Sequence, residues 1–175
     1  MQPPRRLGVS AVAFPRRVEK LYRVPEPLPH VHAYEFDVDA ALIDANGHVN
    51  NVEFVRWMQE AAVRHADAAG CTAATVAAGA TWVVRSHHID YLRPALAGDR
   101  VRVLTWVADF RRAFSLRRYR FLKGTDETLL AKGETDWVFV DATAGRPRSV
   151  PEEIKRMFDV APEGWEPGKP TQSAE

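Results

Sequence analysis

The chain has 175 residues and a formal net charge of +1, with 46% hydrophobic and 27% charged residues. This balance is typical of one folded domain, and it excludes a disordered chain or a strongly basic nucleic-acid-binding domain. No apolar run approaches the roughly 18 to 20 residues of a membrane span, no secretory signal is evident, and Cys71 is the only cysteine. We therefore expect a soluble cytoplasmic protein with no nucleic-acid or membrane partner.

Composition divides the chain into three segments. Residues 1–30 are rich in proline and arginine, and we expect an extension with little regular pairing because proline lacks a backbone N–H. Residues 31–160 are predicted to form the single folded domain. Residues 161–175 are predicted to be a flexible tail.

The domain is predicted to begin with one strand followed by one long helix. Phe36 and Val38 alternate with acidic residues, which is the period-two pattern of a half-buried strand. A helix is predicted after this strand, and Gly70 is predicted to end it. The residues that recur at helical spacing along this helix are Val52, Val55, Met58, Ala62 and His65.

Four strands are predicted after the helix. Their segments are 81–93, 99–110, 113–124 and 128–145, and a short helix is expected at 151–158. This order predicts an α+β fold, in which an antiparallel sheet of five to six strands packs around one long central helix. A single helix covers only one face of such a sheet, so we expect the outer face or an edge to pair with a second copy.

Short polar residues concentrate in "DANGHVNNVEF", residues 44–54, where the long helix begins. The first N–H groups of a helix lack internal partners and favour negative charge. A carbonyl oxygen that gains charge during attack would be stabilised there. Asn50 or Asn51 is expected to cap the helix, since asparagine is a favoured cap.

The residues just before this cap offer a complementary group. Asp44 could attack a carbonyl or take a proton from attacking water. Gly47 permits a backbone conformation closed to other residues, and Asn46 and His48 could orient water or substrate. The alternative is that these residues serve only as cap and turn.

The motif D-A-N-G-H-V-N-N, residues 44–51, resembles the signature of hot-dog-fold thioesterases, and its spelling is similar to that of plant-type acyl-ACP thioesterases. The looser D-x-x-G-x-V pattern of Asp44, Gly47 and Val49 resembles that of the 4-hydroxybenzoyl-CoA thioesterases. The segments "IDYLRPALAGDRVRV" and "DATAGRPRSVPEEI" are similar to later parts of the same family. The resemblance spans roughly residues 32–158.

This resemblance implies a hot-dog domain that forms homodimers with two active sites at the interface; a tetramer is the alternative assembly. It implies hydrolysis of an acyl-CoA or acyl-ACP thioester, as in fatty-acid metabolism, without metal or cofactor. Asp44 would be the general base or nucleophile, and Asn46 and His48 would be further catalytic residues. The oxyanion and substrate would be bound by residues around the helix start, namely Gly47, Val49, Asn50 and Asn51.

The sequence departs from the plant-type pattern in two respects. The chain has room for one hot-dog repeat where those enzymes have two, so a homodimer must replace the second. Arg93, Pro94 and Ala95 stand where those enzymes have an acid and a cysteine, which favours Asp44 as the principal group. Arg93 is a candidate phosphate contact, and Glu60, on the helix, is the second-choice catalytic acid.

Two other functions stay open at this point. A hot-dog enoyl-CoA hydratase also pairs an acid with a histidine, although the proline of its D-x-N-P-x-H motif is missing here. A non-catalytic acyl-CoA-binding module could use the same fold. No metal site is expected, because His30, His32, His87 and His88 fix no complete ligand set.

Overall fold

The computed structural model describes residues 29–124 and 127–168. Most of the predicted N-terminal extension and the last seven residues of the predicted tail lie outside the described residues. The proposed domain limits therefore stay predictions.

The described chain contains five strands and three helices, besides a short 3-10 turn at Ala40–Leu42. In chain order they are β1 (His32–Asp37), α1 (Asn51–Ala68), α2 (Cys71–Ala77), β2 (Ala80–Tyr91), β3 (Arg100–Arg111), β4 (Phe114–Lys123), β5 (Thr128–Asp141) and α3 (Glu152–Lys155).

The strands form one antiparallel sheet in the order β1, β3, β4, β5, β2. This confirms the predicted α+β architecture. The helix α2 was not predicted. Gly70 has a φ of 76°, a left-handed conformation that ends α1, and the alanine-rich segment behind it starts a second helix at once.

The long helix α1 packs against one face of the sheet. Phe54, Trp57 and Met58 are at most 3% exposed, and they share a core with Tyr119 and Phe121 of β4. Trp57 and Met58 follow Phe54 by three and four residues, so the three side chains form one apolar stripe on the helix.

Close approach between α1 and β5 depends on a missing side chain. A Cβ atom at Gly133 would lie 2.9 Å from the Sδ atom of Met58, which is fully buried. Glycine therefore lets α1 lie close to the middle of the sheet.

β2 forms one edge of the sheet. Most of its twelve residues are exposed, including Val83, Val84 and Tyr91 at 43%, 38% and 40%.

The face of the sheet opposite α1 is partly covered by the segment after α3, where Trp165 packs edge-on against Trp106. No helix within the described residues is long and apolar enough to cross a membrane.

Candidate active site

The loop before α1 is held by backbone hydrogen bonds. The N–H of Val49 donates to the Ala95 carbonyl over 2.9 Å, Val49 pairs with Ile43, and its side chain is 3% exposed. Gly47 has a φ of 80°, the left-handed conformation that closes the turn. These contacts place Asp44 in the loop that leads into the N-terminus of α1.

The carboxylate of Asp44 is held by Asn46 on both oxygens. The backbone N–H of Asn46 donates to Oδ1 over 2.7 Å, and its side-chain Nδ2 donates to Oδ2 over 3.3 Å. The backbone bond is the main reason why the pKa of Asp44 lies below its ordinary value, and the side-chain bond adds to this effect. Asp44 is therefore an ionised, half-exposed carboxylate at neutral pH.

The cap residue at the start of α1 accepts hydrogen bonds from two of the first backbone N–H groups of the helix. Asn50 is the cap residue, and its Oδ1 accepts from the N–H of Val52 over 3.1 Å. Its carbonyl accepts from the N–H of Glu53 over 2.9 Å. No acceptor for the N–H of Asn51 is found in the described part of the chain, and this donor is free to bind an incoming carbonyl oxygen.

Tyr91 of β2 touches the same turn of α1. Its hydroxyl donates to the Asn51 carbonyl over 3.3 Å, and its ring packs edge-on against Phe54 at 5.4 Å. Burial raises the pKa of Tyr91. Sequence reasoning missed this residue. Its contact with α1 joins two positions that lie far apart in the sequence.

His48 contributes its backbone to the loop. Its carbonyl accepts from the N–H of Asp44 over 2.8 Å, while the exposed ring has no hydrogen bond to any described residue. A protonated His48 ring would lower the pKa of Asp44 further, as the weakest of the causes that act on it. The ring therefore lies close to the carboxylate but is not fixed by it.

Arg93 and Glu60 each contact a residue outside the Asp44 loop. The Nη1 of Arg93 donates to the Leu129 carbonyl over 2.9 Å, at the start of β5. Glu60 accepts two hydrogen bonds from Arg64, at 3.0 and 2.6 Å, and it lies about 14 Å along the helix from Asn51. The structure places Asp44 and Asn46 in one loop at the start of α1.

No group of three or more histidine, cysteine, aspartate or glutamate residues within 29–124 and 127–168 could hold a metal ion. His87 instead hydrogen-bonds the Thr135 hydroxyl over 2.9 Å through Nδ1. His88 lies 3.2 Å from Asp90.

The fold is that of the hot-dog thioesterases. A family model described as the Thioesterase-like superfamily matches residues 38–158, and the chain belongs to this superfamily. The resemblance noted in the sequence is thereby confirmed. No curated protein matches the chain.

Several solved structures share the fold. A 1,4-dihydroxy-2-naphthoyl-CoA thioesterase from Synechocystis is 20% identical with a TM-score of 0.65, over 73% of this chain and 94% of that one. A 4-hydroxybenzoyl-CoA thioesterase mutant, complexed with 4-hydroxybenzoyl-CoA, is 16% identical with a TM-score of 0.66, over 74% and 99%. A 12:0-ACP thioesterase from Umbellularia californica is 21% identical with a TM-score of 0.67, over 73% of this chain and 50% of that one.

Proposed function

We propose that the protein hydrolyses an acyl thioester at the start of α1, with Asp44 as the catalytic carboxylate. One observation carries the proposal. An ionised carboxylate, held by Asn46, lies at the foot of a helix whose Asn51 N–H has no acceptor in the described chain. A base or nucleophile and an oxyanion donor are the two groups that acyl transfer requires.

In the general-base route, Asp44 takes a proton from a water molecule while the water oxygen attacks the thioester carbonyl. The carbonyl oxygen gains negative charge and accepts a hydrogen bond from the Asn51 N–H. When the tetrahedral intermediate collapses, the C–S bond breaks and the departing sulfur takes the proton from Asp44. The products are a free acid and a free thiol.

In the nucleophilic route, a carboxylate oxygen of Asp44 attacks the carbonyl itself. The C–S bond breaks, the thiolate leaves, and a mixed anhydride forms on Asp44. Water then cleaves the anhydride. A single turnover in ¹⁸O-labelled water identifies this route. When water attacks the anhydride at its Asp44 carbonyl, the label enters the side chain of Asp44.

The proposed substrate carrier is coenzyme A or acyl carrier protein. Both kinds of carrier occur among the thioesterases with this fold, in 4-hydroxybenzoyl-CoA thioesterase and in the 12:0-ACP thioesterase. In this proposal His48 orients the water or the acyl group, and Arg93 is a phosphate contact if the bound carrier reaches β5. The cytoplasm is the proposed compartment, in keeping with a buried free thiol at Cys71.

A homodimer is the proposed working unit. The Asp44 carboxylate is half-exposed in the single chain, whereas thioester hydrolysis benefits from a site that excludes bulk solvent and admits only the attacking water. Exposed apolar side chains next to the site include Val52 of α1, at 67%, and Tyr91 of β2, at 40%, and they mark a surface at the β2 edge. A second copy that pairs along β2 would cover this surface and enclose Asp44.

The proposal is tested with a panel of acyl-CoA and acyl-ACP thioesters and a thiol reagent. Release of free thiol in proportion to enzyme supports hydrolysis. Loss of the enoyl absorbance of an unsaturated acyl-CoA without thiol release would instead identify a hydratase. Saturable binding with neither reaction would identify a non-catalytic module.

A further inference from the structure

A second feature lies at the other end of α1, where α1, α2 and the sheet border a half-open cavity of about 240 Å³. Its walls are mainly apolar and include Ala66, Trp82, Val107, Phe110 and Phe158. The volume exceeds the roughly 150 Å³ of an apolar cavity that takes up benzene. An aromatic ring or a short alkyl chain would therefore fit.

One charged side chain lines this apolar cavity. Arg117 of β4 is only 5% exposed, and its guanidinium carbon lies 5.6 Å from the ring centre of Phe158. Arginine stays protonated in proteins and presents five N–H donors. A full positive charge thus lies in the wall of a mainly apolar cavity.

The partners of Arg117 within the described chain are neutral. Its Nη1 lies 2.8 Å from His65 Nδ1 and donates to the Thr105 hydroxyl over 3.2 Å. Burial lowers the pKa of His65 to about 3, so this ring is uncharged and can accept the hydrogen bond. No carboxylate of residues 29–124 or 127–168 forms an ion pair with Arg117.

An unpaired buried charge is costly, and buried charges in proteins normally have an opposite charge beside them. Here the other N–H groups of the guanidinium have no acceptor in the described residues. Ser115 and Thr75 add hydroxyl groups to the same walls. The cavity thus combines an apolar body with one fixed cation, which is the complement of an amphipathic acid.

We propose that this cavity binds a small carboxylate with an apolar body, and that Arg117 pairs with the carboxylate. The planar guanidinium suits two-point binding of a carboxylate. The ring or alkyl chain lies against Trp82, Phe110 and Phe158. This site goes beyond the proposed hydrolysis and does not depend on it, since Gln59, the cavity residue nearest to the start of α1, lies about 12 Å along the helix from Asn51.

The test is a titration of the full chain with matched pairs of acids and amides, such as benzoate against benzamide and hexanoate against hexanamide. Binding is followed by calorimetry and by tryptophan fluorescence, because Trp82 and Trp137 line the cavity. We expect the acids to bind roughly 10- to 100-fold more tightly than the amides. Equal binding of acid and amide, or no binding of any acid, would overturn the proposal.

Two variants test whether Arg117 causes the preference for acids over amides. Arg117→Met should abolish the preference for the acid, whereas Arg120→Gln should keep it. Arg120 is the matched control because it is also buried on β4 but pairs with Glu166 over 2.6 Å, outside the cavity. An acid preference that survives Arg117→Met would contradict the assignment, and the wild-type comparison decides the case if this variant does not fold.

The same titration with Asp44→Asn separates the cavity from the proposed active site. The acid preference should be unchanged in that variant. A loss of the preference would show that the acid binds at the Asp44 site instead, and would overturn the separate cavity site while leaving the hydrolysis proposal standing.

Discussion

At the scale of single residues, the decisive contact is the one between Asp44 and Asn46. Two hydrogen bonds from one asparagine keep the carboxylate ionised and fix its direction. A low pKa makes Asp44 a weak base in the free protein. Enclosure by substrate and a second chain would remove water and raise the pKa toward the working range of a general base.

The first prediction concerns the pKa of Asp44. Carbon-detected NMR titration should place this pKa below the ordinary aspartate value of about 3.9. Asn46→Ala should raise it only in part, because the backbone N–H of residue 46 still donates to Oδ1. The pKa of Asp141, which is lowered mainly by the backbone N–H groups of Ala144 and Thr143, should not move. An Asp44 pKa that is unchanged by Asn46→Ala would contradict the side-chain contact.

The lowered pKa also fixes the direction of a pH effect on stability. A group with a lower pKa in the folded state stabilises the fold above its unfolded pKa, and this contribution is lost as pH falls through the folded pKa. Asp44 therefore favours folding at neutral pH and ceases to do so in acid. The size of the effect is small because the group is exposed to solvent.

At the scale of elements, α1 depends on its cap. The second prediction is that Asn50→Ala lowers the free energy of unfolding by about 0.5 to 2 kcal/mol, because the Val52 N–H loses its acceptor. Asn51→Ala, one residue further, should change it by a few tenths at most. Urea denaturation of both variants measures the difference, and equal effects of the two would refute the cap.

The packing of α1 on β5 gives the third prediction. Gly133→Ala should cost about 1 to 3 kcal/mol, because the new methyl group would overlap with the Sδ atom of Met58. Met58→Ala alone should also destabilise, by leaving a cavity. The double variant should be more stable than the sum of the two effects implies, since the methyl group then enters space that Met58 has left. Additive free energies from urea denaturation would contradict this packing.

The elements show what the sequence could and could not reveal. A period-two pattern predicted β1 and a period-3.6 pattern predicted α1, because burial on one face imposes those periods. Strand propensity, with turn residues between the segments, predicted the other four strands. Among the described elements, α2 and the 3-10 turn were missed, and the short alanine-rich segment of α2 carries no clear apolar stripe. The contact between Tyr91 and Asn51 was also missed, because it joins residues 40 positions apart and local patterns do not report such pairs.

At the scale of the whole molecule, the β2 edge carries the fourth prediction. Light scattering should give about twice the mass of the 19.7 kDa chain. Val84→Lys, near the middle of β2, should yield a monomer with little thioesterase activity, because each copy would bring a positive charge to the edge along which the two β2 strands pair.

Val160→Lys is the matched control for this experiment. Val160 is as exposed as Val84, at 37% against 38%, but it follows α3 and lies outside β2. This variant should stay dimeric and active. A monomeric wild-type protein with full activity would refute the proposed dimer.

The candidate site could be predicted from the sequence only in part. The Asp44 loop was found because its motif combines a cap, a glycine and an acid at one helix start, and each of these has a local physical cause. The positions of Arg93 and Glu60 depend on contacts across the sheet and along α1. The buried charge of Arg117 depends on three elements that meet in the fold, so no local pattern marks it.

The most direct measurement is thioester turnover by Asp44→Asn beside Asp141→Asn. Both residues are half-exposed aspartates that accept backbone N–H groups in tight turns. Asp141 also pairs with Arg148 over 3.3 Å, so Asp141→Asn removes at least as many contacts as Asp44→Asn. We predict that Asp44→Asn lowers kcat by about 10² to 10⁴, while Asp141→Asn leaves kcat near that of the wild type. Near-normal turnover by a folded Asp44→Asn variant would contradict the account.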